Sequence, residues 1–311
     1  MWAFIILFIF GLAIGSFLNV VSLRYKPGNN PAGILDLKVI GGRSHCPYCY
    51  KTLSWYELIP LLSFIIQFGK CRSCGHKLSF QYPFVELLSG LIFVLVPLTL
   101  TYNLQLTTYN FLMLLVVSCW LLVFTLFLLL SIIDFRHYII PDSINLFLAI
   151  LGIVLIGIHI NNPIIQQFKN LTIQQFNNNS FLGHYSLLFD FWPLSAVSDQ
   201  WSVVVGHFFA AFVVMAFVAT IIILSRGRGM GWGDFKLVGA LGLIFGWPDI
   251  LMVLFLSFII GSIFVLPLLI KKQKTMKDVV PFGPFLIIAA SLTFFFGYQI
   301  IDSYFKLFSL V

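Results

Sequence analysis

Long apolar runs separated by short polar interruptions occupy most of the chain. They lie at about 1–23, 84–101, 111–133, 143–160, 203–224, 235–247, 250–270 and 283–302. Their lengths cluster near the ~20 residues that a helix needs to cross the hydrocarbon core, and none alternates apolar and polar residues as a barrel strand does. The pattern predicts an all-α, polytopic membrane protein of about eight transmembrane helices. It divides the chain into a first helix at 1–23, a small cytoplasmic segment at 24–83 and a membrane-embedded domain at 84–311. The first positive charge, Arg24, follows the first run instead of preceding it. A cleavable secretory signal has the opposite order, so this run is expected to stay as the first span.

Composition sharpens the picture. Apolar residues make up 60% of the chain and charged residues 9%, against about 25% charged in an ordinary soluble domain; mean hydropathy is +1.00. The net charge of +7 has a topological explanation. With the N-terminus outside, every Lys and Arg except Lys169 and Lys306 falls in a cytoplasmic interruption, as the positive-inside rule requires. The basic residues therefore meet lipid, and no nucleic-acid partner is implied. Residues 160–202 face outward in this topology, are rich in Asn and Gln, and echo IIQQF as IQQF. They read as an extracytoplasmic low-complexity insert with no core of its own.

Two interruptions carry acids where acids are costly. Asp134 closes the third run and opens DFRHYIIPD, while Asp234 lies in RGRGMGWGDFK after the fifth. An ionisable residue at the edge of a span is functional by default, and Asp134 sits at a helix C-terminal end, which disfavours negative charge. For Asp142 a structural role comes ahead of a chemical one: it follows Pro141 in the first turn of the next helix, where a carboxylate is favoured. Two carboxylates at the mouths of two spans, on one side of the membrane, point to aspartic protease chemistry at the bilayer surface. Two such groups a few ångströms apart cannot both ionise cheaply, so one stays protonated while the other activates water.

Neighbouring residues are candidates for holding a substrate. The alternating glycines before Asp234, Gly231 and Gly233 among them, leave backbone bare for an extended peptide to pair with. Pro281 and Gly283 make a non-helical approach to the eighth run at the same face. Lys236, like Arg136, lies two residues past an aspartate, a spacing that on a helix points it away. Both are first of all interface anchors, with charge tuning or substrate positioning by Lys236 as the second option.

The cytoplasmic segment contains Cys46-Pro-Tyr-Cys49 and, after 21 residues, Cys71-Arg-Ser-Cys74. Two such knuckles close one tetrahedral zinc site of four thiolates, structural because no ligand position stays open. Reduced cytosolic thiols favour metal over disulfides, and so short a segment has little core without a staple. His45 and His76 flank a complete ligand shell and are expected to be bystanders; Cys119 is expected to pack inside its span. Between the knuckles, LSWYELIPLLSFIIQFG is apolar yet holds Glu57 and Pro60, and it is expected to lie on the membrane or re-enter it without crossing. Glu86 has three open roles: capping its helix, pairing with a base, or standing near substrate. Gly11, Gly15 and Ser16 suit close helix packing, and Asn19 either bonds across helices or reaches the interface.

The motifs GSFLNV, CPYC…LIPLLSF…GKCRSCG, YPFVELLSG, IDFRHYIIPD, GMGWGDFKLVGALG and PFGPFL, in that order, give the chain its resemblance to the bacterial type IV prepilin peptidases. These are intramembrane aspartic proteases of the GxGD class. The resemblance implies that Asp134 and Asp234 are the catalytic pair, matching the first aspartate of the D…IPD motif and that of GxGD. It implies cleavage of prepilins or pseudopilins after a short basic leader, at the cytoplasmic face of the inner membrane. Family members with the cysteine segment are commonly bifunctional, which implies methylation of the new N-terminus with S-adenosylmethionine. The insert at 160–202 departs from the family pattern on the outer face only.

Rival readings explain less. A zinc-dependent membrane scaffold or transporter without catalysis accounts for the spans and the cysteines but leaves both aspartates without a purpose. A zinc metalloprotease would need an HExxH pair, which the sequence lacks. An archaeal-type preflagellin peptidase or a presenilin-like protease fits neither the cysteine segment nor the IPD motif.

Overall fold

The computed structural model describes residues 2–28, 39, 41–104, 111–160, 199–227, 229–272 and 280–308. Residues 161–198, nearly all of the expected outer insert, lie outside the described residues. Backbone N–H and C=O groups in lipid have no water to bond to, so apolar runs close into helices. The helices are α1 Trp2–Arg24, α2 Leu62–Ile66, α3 Gln81–Leu104, α4 Phe111–His137 and α5 Asp142–Ile160. They continue with α6 Asp199–Leu224, α7 Trp232–Phe245, α8 Asp249–Ile270 and α9 Gly283–Phe308. Among the described residues there is no strand, only two isolated bridges in the cysteine segment, so the fold is all-α.

Every one of the eight predicted runs is a helix. Six of them, α1, α3, α4, α5, α6 and α8, are long and apolar enough to cross a membrane. The apolar part of α9, Gly283–Gly297, is shorter. So is α7, whose 14 residues rise about 21 Å at 1.5 Å each, less than the ~30 Å hydrocarbon core. The stretch between the knuckles does not cross. It forms a 3₁₀ turn at Trp55–Leu58 and the five-residue α2, and it exposes Trp55, Ile65, Ile66 and Phe68.

The helices group into two packing units, one ending at His137 and the other running on from Tyr138. In the first, α1 lies along α3. A Cβ added at Gly11 would stand 2.8 Å from Phe93 Cβ, and one at Gly15 2.8 Å from Glu86 Cα, so these glycines let the two backbones touch. Asn19 takes the first of its two open roles: its Nδ2 donates to the Tyr82 carbonyl at 3.2 Å. The end of α4 is tied to α1 by Arg136 Nη1, which donates to the Ser22 carbonyl at 3.4 Å, and by an edge contact between the His137 and Tyr25 rings at 5.9 Å.

In the second unit α7 touches α5, α6, α8 and α9. Its Leu237, Val238 and Leu241 are fully buried. Small residues again permit the approach: a Cβ at Gly242 would come within 2.5 Å of Ala211 Cα on α6, and one at Gly152 of α5 within 2.9 Å of Leu243 Cβ. A short helix wrapped on several sides holds its N-terminal turn firmly, and that turn carries Asp234.

Candidate functional site

Asp134 lies in the last turn of α4 and is 3% exposed. Asp234 lies in the first turn of α7 and is 9% exposed. They belong to different packing units. The backbone at Gly231 is extended, with φ −89° and ψ 159°, and Gly231 caps the helix. Its N–H donates to Asp234 Oδ2 at 3.0 Å, so the carboxylate satisfies a donor that a helix start leaves over. The α7 N-terminus also favours negative charge there. One oxygen of Asp234 is thereby aimed and held.

Gly233 is not part of an extended strand; it is the second residue of α7. A Cβ there would stand 3.1 Å from Ile140 Cβ, so the glycine makes room for the IIPD stretch. The Gly233 carbonyl accepts from Asn145 Nδ2 on α5 at 3.5 Å. Asn145 is buried, and its Oδ1 has no hydrogen-bond partner among the described residues. This residue escaped the sequence reading, although a lone amide one turn past IPD inside an apolar run is the available signal.

Lys236 turns away from Asp234, as its spacing requires, and meets Asp142: Nζ donates to both carboxylate oxygens at 2.8 Å. Asp142 is the first residue of α5, so this ion pair joins the start of α5 to the start of α7. Pro281 precedes α9 in a non-helical stretch, and the buried Gly283 begins that helix. The backbone N–H groups of Phe285 and Leu286 donate to the Phe282 carbonyl at 3.1 and 3.2 Å.

The sulfur atoms of Cys46, Cys49, Cys71 and Cys74 all lie within 4.8 Å of one another. Four thiolates at ~2.3 Å from a tetrahedral zinc would be about 3.8 Å apart, so the donor set and spacing fit that ion. The two knuckles share one local geometry. Tyr50 N–H donates to the Cys46 carbonyl at 3.0 Å and Gly75 N–H to the Cys71 carbonyl at 2.9 Å. Tyr50 and Gly75 occupy the left-handed region at φ 56° and 69°, which glycine adopts without strain and tyrosine does not. The Cys71 thiol is drawn down to about 7 by the backbone N–H groups of Cys74 and Ser73, while the Cys74 thiol beside it moves the other way, up to about 11. The His45 and His76 rings lie against Tyr50 and Tyr48. Glu86 Oε2 accepts from the Leu61 N–H at 2.8 Å, anchoring the start of α2 to α3.

Residues 9–100 match the family described as Bacterial Peptidase A24 N-terminal domain, and residues 120–266 match the Type IV leader peptidase family. Three curated proteins similar to the chain are each called prepilin leader peptidase/N-methyltransferase. That of Bacillus subtilis (strain 168) is 29% identical, with 97% of this chain and 98% of that protein covered. That of Aeromonas salmonicida (strain A449) is 31% identical, with 94% and 91% covered. That of Stutzerimonas stutzeri is 30% identical, with 95% and 91% covered. No solved structure matches the chain.

Proposed function

The chain belongs to the type IV leader peptidase family, and from that membership we propose that it cleaves the short basic leader of type IV prepilins or pseudopilins and then N-methylates the new N-terminus. It does so as a multi-pass protein of the bacterial inner membrane, with its N-terminus outside and its chemistry at the cytoplasmic face. Asp134 and Asp234 are the catalytic carboxylates. The ionised one takes a proton from water, which attacks the scissile carbonyl. The protonated one polarises the carbonyl oxygen and later gives its proton to the leaving amine. The Gly231 N–H fixes the direction of the Asp234 carboxylate. Gly231, Gly233, Lys236, Pro281 and Gly283 are the residues that would position the substrate.

One observation supports this reading: of the three buried carboxylates among the described residues, Glu86, Asp134 and Asp234, the two aspartates lie at helix ends within the residues that match the family. Buried acids without a task are costly to retain in a membrane protein. The four cysteines would hold a structural zinc ion, which closes residues 46–74 into one unit without touching the reaction. S-adenosylmethionine, when bound, offers a sulfonium methyl group to which the uncharged α-amine forms an N–C bond as the C–S bond breaks, leaving a thioether and one proton.

The test is mass spectrometry of a prepilin co-expressed with the wild type, Asp134→Asn or Asp234→Asn. The wild type should yield a mature N-terminus heavier by one methyl group. Each variant, present in the membrane with wild-type metal content, should leave the leader attached, with a rate loss on the order of 10²–10⁴. Cleavage that survives in either variant would strip that aspartate of its role, and Asp142 would be examined next.

A further inference from the structure

The first packing unit encloses a cavity of about 230 Å³ between α1, α3 and the cysteine segment. We propose that this cavity is the methyl-donor site and takes the sulfonium and amino-acid end of S-adenosylmethionine; the assignment rests on the reading that the protein methylates its product. Val20 and Leu23 of α1, with Leu58 and Phe64, give it apolar walls, and Glu57, Glu86 and Arg24 line it as well.

Charge pattern is the first argument. The donor carries two positive groups, the sulfonium and the α-ammonium, and one carboxylate. The cavity is lined by two carboxylates and one guanidinium, the inverse set; the guanidinium already donates to the carbonyls of Gly41, Gly42 and Arg43, so the two carboxylates carry the match. Glu86 is 7% exposed, so a cation beside it acts with little screening by water. The Leu61 N–H takes one position on Oε2 and the Ser16 side chain another on the carboxylate; of about four lone-pair sites this leaves capacity for an ammonium, and a sulfonium would pair with the carboxylate by charge alone. Glu57 is placed by a comparable bond, its Oε2 accepting from the Ser54 N–H at 2.9 Å.

Size and position agree. A ligand pocket commonly holds about 300–1,000 Å³, so this cavity is too small for the whole donor. It suits the charged end, with the nucleoside lying toward the mouth, where His45 and Pro47 are exposed. The wall of α1 is shared with the end of α4. Ser22 and Tyr25 meet Arg136 and His137, while Val20, Leu23 and Arg24 face the cavity. An amine released at Asp134 would therefore be one helix away from the methyl group. Cys46 and Cys71 also line the cavity, so the metal segment forms part of its wall.

The experiment is isothermal titration of S-adenosylmethionine and S-adenosylhomocysteine into the detergent-solubilised protein, wild type against Glu86→Gln and Glu57→Gln, with prepilin methylation read alongside. Glutamine at 86 keeps an oxygen for the Leu61 N–H, so folding should persist, as melting temperature and metal content will report. The expected result is at least a tenfold loss of S-adenosylmethionine affinity in Glu86→Gln and a smaller loss in Glu57→Gln, while S-adenosylhomocysteine, which keeps the α-ammonium but lacks the sulfonium charge, loses affinity only in the variant whose carboxylate faces the ammonium and changes less than threefold in the other. Wild-type affinity retained in both variants would overturn the assignment. So would equal losses for both ligands accompanied by reduced metal content, which mark a structural role only. A wild type that neither binds the donor nor methylates prepilin would remove the underlying reading and the assignment together.

Discussion

Replacing Gly15 by alanine tests the packing on which the first unit depends. A Cβ at this position would stand 2.8 Å from Glu86 Cα, 2.8 Å from Ser89 Cβ and 3.0 Å from the Val85 carbonyl oxygen. Carbon atoms rest comfortably at about 3.5–4.0 Å, so α1 and α3 would have to part by about 1 Å. None of the three atoms can swing aside, because all belong to the backbone or the Cβ layer of α3. Alanine gains up to about 1 kcal/mol over glycine in helix propensity, while overpacking costs about 1–3 kcal/mol. With immovable neighbours the upper part of that range applies, leaving a net loss of about 1–2 kcal/mol. At about 2–4 °C per kcal/mol for a chain somewhat smaller than this one, the melting temperature in detergent should fall by about 2–8 °C. Gly206→Ala is the control, since nothing among the described residues lies within 4 Å of a Cβ there, and it should melt at or slightly above the wild type. If Gly15→Ala melts no lower than the wild type, the close contact of α1 with α3 does not exist.

The other expectations concern the metal centre and one ion pair. Chelation, or Cys71→Ser, should release one equivalent of metal by elemental analysis and open residues 44–78 to protease, since a structural zinc contributes apparent binding free energy of about 10–16 kcal/mol in small domains; undiminished protease resistance without metal would show that the segment packs unaided. Lys236→Ala should move the melting temperature by no more than about 2 °C, because the Lys236 and Asp142 side chains are 48% and 72% exposed and such pairs contribute about 0–1 kcal/mol. A larger fall would assign the pair a role in holding α5 against α7.

Much of this organisation is readable from residue order alone. Each of the eight apolar runs is a helix, because in lipid the backbone has no other way to satisfy itself, and that rule needs only composition and length. The four cysteines come together as their spacing foretold, since each knuckle is a local turn of a few residues. Gly11 and Gly15 pack as their spacing along α1 suggested, because helical periodicity places them on one face. Other features depend on partners far away in the chain. Glu86 reaches Leu61 across 25 positions, Asn145 reaches Gly233 across 88, and Lys236 reaches Asp142 across 94. No local pattern encodes those pairings. Gly233 shows the same limit from the other side: in the sequence it is one of several alternating glycines, and only the fold shows it inside a helix against Ile140. Order and composition determined which segments are helical and which residues carry chemistry. The partner each polar group takes, and the cavity beside Glu86, came from packing, which joins residues that sequence keeps apart.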